Sequence, residues 1–287
     1  MKLLVIIPCY NEEKTIADVV TAIPKKIPGI KKIDVLVIDD GSSDRSAAFA
    51  AKAGAAVLSH QQNRGVGAAF NSGLDYALSR KYDIMVNIDA DRQFNPADIP
   101  DLARPILNNE ADFVSASRFI DPTVSPKNMS KVKLWGNKMM SLLISRLCRK
   151  KFHDVSCGFR AYSRECMLRI NLQGKFTYTQ ETFLDVAFKE LRIKEVPVRV
   201  KYYSDRKSKI ASSIIYYAVQ TSSIIFRTYR DYYPLRFFWS ISAVTGLIGL
   251  CLFSFFIGWY IYAGKFSPHI WSGFVSGSFL VFLLYSF

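Results

Sequence analysis

Asp89-Ala90-Asp91 closes the apolar run Asp83-Ile84-Met85-Val86-Asn87-Ile88. Side chains alternate faces along a strand, so carboxylates two residues apart leave the end of such a run on one side. Apolar burial does not account for them, because an unpaired carboxylate is costly to desolvate. A divalent cation shared with a phosphorylated substrate does, since Mg²⁺ takes one or two carboxylates and completes its shell with phosphate oxygens and water. A solvated turn presents the same triplet, and the neighbouring residues must decide between the two.

Holding those carboxylates in place requires a sheet. Short apolar runs at 3–7, 34–38, 55–58, 84–88 and 113–117 alternate with helix-like segments near 14–22, 46–53, 66–78 and 97–107. That alternation predicts an α/β domain with a mainly parallel, Rossmann-like sheet, in which ligands bind beyond the carboxyl ends of the strands. The polar clusters fall there. Pro8-Cys9-Tyr10-Asn11-Glu12 follows the first run and Asp39-Asp40-Gly41-Ser42-Ser43-Asp44 the second. Asn63-Arg64-Gly65-Val66-Gly67 follows the third and Asp89-Ala90-Asp91-Arg92-Gln93 the fourth. Singly, each is also explained by capping or turn formation. Gly65 and Gly67 lack the spacing of a phosphate loop or a dinucleotide fingerprint. Four clusters on one rim, two of them acidic, point to a shared nucleotide and metal site.

The composition of the 287 residues breaks near residue 236. Residues 237–287 hold one lysine, Lys265, one histidine, His269, and no acid. The stretch 237–262 is apolar and long enough to cross a bilayer core, which takes about 20 residues. A second candidate, 270–287, runs to the last residue, so a longer natural chain is expected. The short connection 263–269 predicts a transmembrane helical hairpin, the alternative being a buried hairpin in a soluble protein.

The net charge of +14 is concentrated: 125–151 holds eight Lys/Arg and no acid, and 189–236 holds eleven against four acids. A basic balance raises nucleic acid as a partner. The second block abuts the apolar stretch, however, and so fits anionic headgroups and a cytoplasmic globular part better. Nucleic acid is therefore not expected as a partner. Apolar residues recur at helical spacing in 131–151 (Trp135, Met139, Leu142, Leu143, Leu147), and 210–230 carries one polar face. Both are expected to lie on lipid headgroups, packing against the domain being the alternative. Met1-Lys2 before the first strand is too short for a signal peptide. Cys9, Cys148, Cys157, Cys166 and Cys251 form no CxxC pair and are expected as reduced thiols.

These segments together resemble the family 2 glycosyltransferases with the GT-A fold, in particular their polyprenyl-phosphate, dolichol-phosphate mannose synthase-like branch. The carriers are Pro8-Cys9-Tyr10-Asn11-Glu12, Asp39-Asp40-Gly41-Ser42-Ser43-Asp44, Asp89-Ala90-Asp91 with Gln93, Ser117-Arg118-Phe119, and Asp154-Val155-Ser156-Cys157-Gly158-Phe159-Arg160. Arg206-Lys207-Ser208-Lys209 and the apolar C-terminal segment complete the likeness. In relatives the basic motif is commonly longer and contains Gly, so the roles of Arg206 and Lys207 are open to exchange.

The resemblance implies transfer, with inversion, of one sugar from a UDP- or GDP-linked donor to a polyprenyl phosphate, dolichyl or undecaprenyl. Pro8, Tyr10, Asn11, Glu12 and Asp39 would hold base and ribose, and Val37 would add a backbone or packing contact. Asp89, Ala90, Asp91 and Gln93 would meet the diphosphate, with Asp89, Asp91 and Gln93 holding Mg²⁺ or Mn²⁺. Arg118, Arg206 and Lys209 would face phosphates and, with Asp89 and Asp91, carry the catalysis. Ser156, Gly158, Arg160 and Glu181 would lie toward the acceptor. His60 and His153 are expected in structural roles, because a phosphomonoester acceptor with a second pKa of about 6 needs no general base.

The implied organisation is a GT-A domain at 1–209, an interfacial helix at 210–236 and two transmembrane helices at 237–287. Such a multi-pass chain would sit in the cell membrane, or in the endoplasmic reticulum membrane of a eukaryote. A homo-oligomer is compatible with it. The rivals are a family 2 enzyme using a sugar hydroxyl on a lipid-linked glycan, and a membrane-anchored nucleotide-binding module without catalysis.

Overall fold

The computed structural model describes residues 1–123, 126, 129–174, 178–201 and 214–285. Strands β1 (Lys2–Cys9), β2 (Lys32–Asp39), β3 (Ala56–Ser59), β4 (Ile84–Asn87), β5 (Phe113–Ser117), β6 (Arg160–Ser163) and β7 (Ile193–Pro197) form one sheet. Their order is β3-β2-β1-β4-β6-β5-β7. β6 runs antiparallel to β4 and β5, and the remaining pairings are parallel. Helices α1 (Ile16–Thr21), α2 (Ser46–Lys52) and α3 (Val66–Ser79) connect the first four strands. α4 (Ile99–Leu107) leads into β5, α5 (Lys131–Cys148) follows it, and α6 (Arg164–Arg169) and α7 (Thr179–Phe188) lie between β6 and β7.

The sheet is buried on both faces, as the apolar runs require. Leu3, Val5 and Ile7 enter one core with Ile16 and Val19 of α1, Ala50 of α2 and Leu102 of α4. Leu4 and Ile6 enter the other with Phe70 of α3, Met167 of α6 and Phe183 of α7. The same period of two puts Met85 on the second face, and therefore Asn87 and the emerging Asp89 on that side too.

The five strands expected from sequence are present, and two more complete the sheet. β6 has only Ala161 and Tyr162 as apolar signal, between Arg160 and Ser163. β7 reads Ile-Lys-Glu-Val-Pro, with charge and a proline that only an edge strand tolerates. The antiparallel β6 modifies the mainly parallel sheet that was expected.

The chain forms two compact units, Met1–Ile225 and Phe226–Phe287. Within the first, α5 starts at Ser130, whose hydroxyl caps it, and stops where Arg149 turns left-handed at φ +52°. Its Val132, Trp135 and Leu142 are each more than three-fifths exposed, while Ser141 and Ile144 face inward. Helix α8 (Ile214–Tyr232) precedes α9 (Pro234–Ala263) and α10 (Ile270–Tyr285). α9 has 30 residues, holds an 18-residue window with a mean hydropathy of 2.1 and meets the length and apolarity of a membrane span. α10 is described over 16 residues, fewer than the about 20 that a span takes. Of the two expected spans, then, one helix of sufficient length is present among the described residues. α10 lies against α9 where Gly273 meets the Phe256 ring, which a Cβ there would approach to 2.9 Å.

The β5–β7 edge is clipped by Arg192, whose Nε and Nη2 donate to Asp112 Oδ2 and Oδ1, both at 2.9 Å. Hydrogen bonding from Arg192 holds the Asp112 carboxyl below its ordinary value. A depressed carboxyl contributes stability that is present above the unfolded value of about 3.9 and lost as pH falls through the folded one. Asp112→Asn is expected to lower the melting temperature at pH 7, with the gap to the native chain closing as melts are taken toward pH 3. A gap that stayed constant over that range would show that the ionised pair is not its source.

Candidate active site

The carboxyl ends of β1, β2 and β4 adjoin, because these strands are parallel neighbours. Cys9 and Asp39 are in register at the first pair's end, and Ile88 N donates to the Ile6 carbonyl at 3.1 Å. The loops leaving this edge are laced together. Asn11, at φ +55°, donates its backbone N–H to Ser42 Oγ at 2.9 Å, and Ser43 N donates back to Asn11 Oδ1 at 2.8 Å. Glu12 N donates to Ser46 Oγ at 2.7 Å, and Ser42 N to Asp39 Oδ1 at 3.1 Å. Tyr10 stays exposed beside this lattice.

Asp40, beneath the second loop, is consumed by structure. Its carboxylate accepts from Arg64 N at 2.9 Å and Gly65 N at 2.8 Å and lies 2.7 Å from His60 Nδ1. His60 Nε2 in turn lies 2.9 Å from Ser72 Oγ. An Asp-His-Ser line of this kind would suit acyl transfer if exposed, but the His60 and Asp40 side chains are each only 5% exposed. It ties loop 60–65 against Gly41, where φ is +73° and a Cβ would sit 2.6 Å from the Gln62 carbonyl carbon. Gly41 is therefore required on two counts.

Asp89 and Asp91 emerge beyond β4, both half-buried, and Gln93 N donates to Asp91 Oδ1 at 3.0 Å across the left-handed Arg92. Among the described residues no three His, Cys, Asp or Glu side chains cluster as a self-sufficient metal site. Two carboxylates and an amide offer only hard oxygen donors. Asp89 also faces Gly158, a residue without a side chain to crowd it. That set fits Mg²⁺ or Mn²⁺ completed by substrate phosphates and does not fit zinc. The thiols nearby are no alternative nucleophiles: burial pushes Cys9 and Cys157 up to about 12.

The sequence matches the model of the family described as Glycosyl transferase family 2 over residues 4–169, more than half of the chain. The chain belongs to glycosyl transferase family 2. Among its relatives is the UDP-N-acetylglucosamine–dolichyl-phosphate N-acetylglucosaminyltransferase of Methanococcus voltae, 32% identical over 69% of this chain and 84% of that one. The undecaprenyl-phosphate mannosyltransferase of Micrococcus luteus is 28% identical over 76% of this chain and 91% of its own. Glucosyl-3-phosphoglycerate synthase from Mycobacterium tuberculosis has been solved with Mn²⁺, uridine diphosphate and glucosyl-3-phosphoglycerate. It matches with a TM-score of 0.60 at 22% identity, over 80% of this chain and 79% of that one. That likeness shows the shared GT-A fold.

In this glycosyltransferase the other expected site residues separate into groups. Val37 is fully buried in the core, paired between Ile7 and Val57, so its side chain packs and does not reach the rim. Arg118 is bound to a carboxylate of its own chain. Its Nε donates to Asp154 Oδ2 at 2.6 Å and its Nη2 to Asp154 Oδ1 at 2.8 Å. Arg160, expected toward the acceptor, is fully buried between the Phe113 and Phe183 rings and donates to the Cys157 and Val155 carbonyls. Glu181 is buried and accepts from the backbone of Gln173 and Gly174, shaping a loop. Ser156 is half-buried, with Gln180 Nε2 donating to its Oγ at 3.3 Å. Arg206 and Lys209 lie outside the described residues.

His153 is anchored to Glu195, as a structural role requires, with Nδ1 2.9 Å from Oε2. Sequence reasoning missed Asn87 and Glu195, which hold the 153–159 loop, and Tyr178, whose hydroxyl accepts from Asn87. Asn87 was legible as a polar residue inside an apolar strand; Glu195 carried no local signal. A cleft of about 690 Å³ opens beside Gln93, with Arg92, Arg199 and Lys201 among its walls and the Arg92–Asp18 pair at 2.8 Å on one side.

Asp154 is fully buried and the Arg118 side chain 11% exposed, so removing either partner strands a buried charge. Arg118→Met is expected to cost about 3–5 kcal/mol of stability, read by denaturant unfolding of the purified protein. A loss near zero would show that the Arg118–Asp154 pair does not support the fold.

Proposed function

We propose that this glycosyltransferase moves one sugar from a nucleotide diphosphate sugar to a polyprenyl phosphate, with inversion at the anomeric carbon and dependence on Mg²⁺ or Mn²⁺. The carrying observation is the pair Asp89 and Asp91 with Gln93 at the carboxyl end of β4, beside the laced loops of β1 and β2. Those three residues would hold the cation, which when bound supplies positive charge to the departing diphosphate. The 10–12 and 39–43 loops, fixed by their mutual hydrogen bonds, would seat base and ribose without further ordering.

The relatives named above support the acceptor class, since two of them carry dolichyl phosphate or undecaprenyl phosphate in their names. A phosphomonoester with a second pKa of about 6 is already largely dianionic at neutral pH. The protein then has to orient that oxygen behind the anomeric carbon, not to deprotonate it. The engagement of His60 with Asp40 and of His153 with Glu195 agrees with this. Arg206 and Lys209 are proposed as the groups that take the acceptor phosphate.

Delivery of a lipid acceptor suits the rest of the chain. α9 is proposed to enter the membrane, with the basic residues before it keeping the catalytic unit on the cytoplasmic side. The exposed Val132, Trp135, Met139, Leu142 and Leu143 of α5, interleaved with Lys131, Lys133 and Lys138, are proposed to rest on anionic headgroups.

Asp91→Ala is expected to lose at least about a hundredfold in turnover with an unchanged melt, because the residue lies beyond a strand end. Full activity in excess EDTA would remove the metal from the proposal. With a short, soluble prenyl phosphate in detergent, the rate is expected to rise with pH through about 6 and level off, and the free prenol is expected to be inert. Comparable transfer to the alcohol would favour a hydroxyl acceptor. In the same assay Arg206→Ala and Lys209→Ala are expected to slow turnover; native rates there would reduce the motif to membrane attraction.

A further inference from the structure

Asp89 meets a loop nearly seventy residues further along the chain. Asn87 lies opposite Arg160 in the β4–β6 pairing and is fully buried. Its Nδ2 donates to the Gly158 carbonyl and to the Tyr178 hydroxyl oxygen, both at 2.8 Å. Burial raises the Tyr178 phenol well above its usual value, so the partner is a neutral hydroxyl. Gly158 is thus drawn against the strand end. A Cβ on Gly158 would lie 3.0 Å from Asp89 Oδ2 and 3.1 Å from Asp89 Oδ1. The φ of Gly158 is outside the left-handed region, so the carboxylate, not the backbone, demands the missing side chain.

The loop that carries Gly158 is held from several directions. Arg118 clamps Asp154, and Glu195 accepts the backbone N–H groups of His153 and Asp154 at 2.9 Å each. From below, Arg160 donates to the Cys157 carbonyl at 2.7 Å and the Val155 carbonyl at 3.1 Å. These ties grip residues 153–157, and Gly158 itself is held against the strand by the Asn87 hydrogen bond.

We infer that Gly158 and Asn87 are positioning residues for Asp89, setting where its carboxylate meets the cation and donor diphosphate. The inference rests on the metal-binding role proposed for Asp89. An added methyl at 158 displaces that carboxylate by a few tenths of an ångström. The fold tolerates such a shift, whereas Mg²⁺ demands near-ideal geometry at about 2.0–2.1 Å. Withdrawing the Asn87 donor frees Gly158 to drift, with the same consequence.

The test compares the full chain in detergent with Gly158→Ala, Asn87→Ser and Asp89→Asn. Mn²⁺ is titrated in the presence of UDP and, separately, of GDP, with free Mn²⁺ read by electron paramagnetic resonance and folding by thermal melts. Gly158→Ala and Asn87→Ser are expected to stay folded while half-saturating Mn²⁺ rises by about 10- to 100-fold, the range for groups that orient a metal ligand. A purely structural role would lower the folded fraction and leave half-saturation unchanged. Native Mn²⁺ affinity in folded Gly158→Ala, with Asp89→Asn impaired, overturns the inference and leaves the metal site standing. Native affinity in Asp89→Asn overturns the metal reading itself. Asn87→Ser adds no volume and carries the same readout if Gly158→Ala does not fold.

Discussion

A carboxylate that leaves a sheet buried on both faces must either find compensation or remain near solvent, and the chain's acids sort on that rule. Asp40 takes His60 and two backbone N–H groups, Asp154 takes Arg118, and Glu181 takes the backbone of residues 173 and 174. Those three are buried and build the scaffold. Asp89 and Asp91 are half-buried beyond the last residue of β4, and Gly158 packs directly against the Asp89 carboxylate. The difference between these scaffold acids and the pair proposed to hold the cation is one of desolvation, not of residue type.

The same rule explains why two of the expected cations, Arg118 and Arg160, are engaged within the protein. A guanidinium near a buried carboxylate gains more by pairing with it than by waiting for ligand, so Arg118 closes on Asp154. Arg160 goes further inside, where two main-chain carbonyls and the faces of aromatic rings replace water. Both arginines then act on the 153–159 loop, one through its acid and one through its carbonyls.

The antiparallel strand β6 joins these parts. By inserting between β4 and β5 it brings Arg160 level with Asn87, and the loop before it level with Asp89. A wholly parallel sheet would send that loop to the opposite edge, because parallel neighbours start where an antiparallel neighbour ends. The reversal is what places residues 153–159 at the rim where β1, β2 and β4 end.

Much of this was determined by sequence alone. Continuous apolar runs specified five strands, since a strand covered on both faces has no polar side to show. The polar clusters after them located the rim, and the loss of charge beyond residue 236 set the apolar C-terminal unit apart. The partners of each charge were decided only by tertiary structure. Arg118 and Asp154 are separated by 36 residues, and Glu195 and Asp154 by 41. Ion pairs and loop clamps of that span follow from strand order, which local periodicity does not encode. β6 and β7 escaped for the same reason: a four-residue strand beside a polar motif and a charged edge strand are strands because of what they pair with, not because of what they contain.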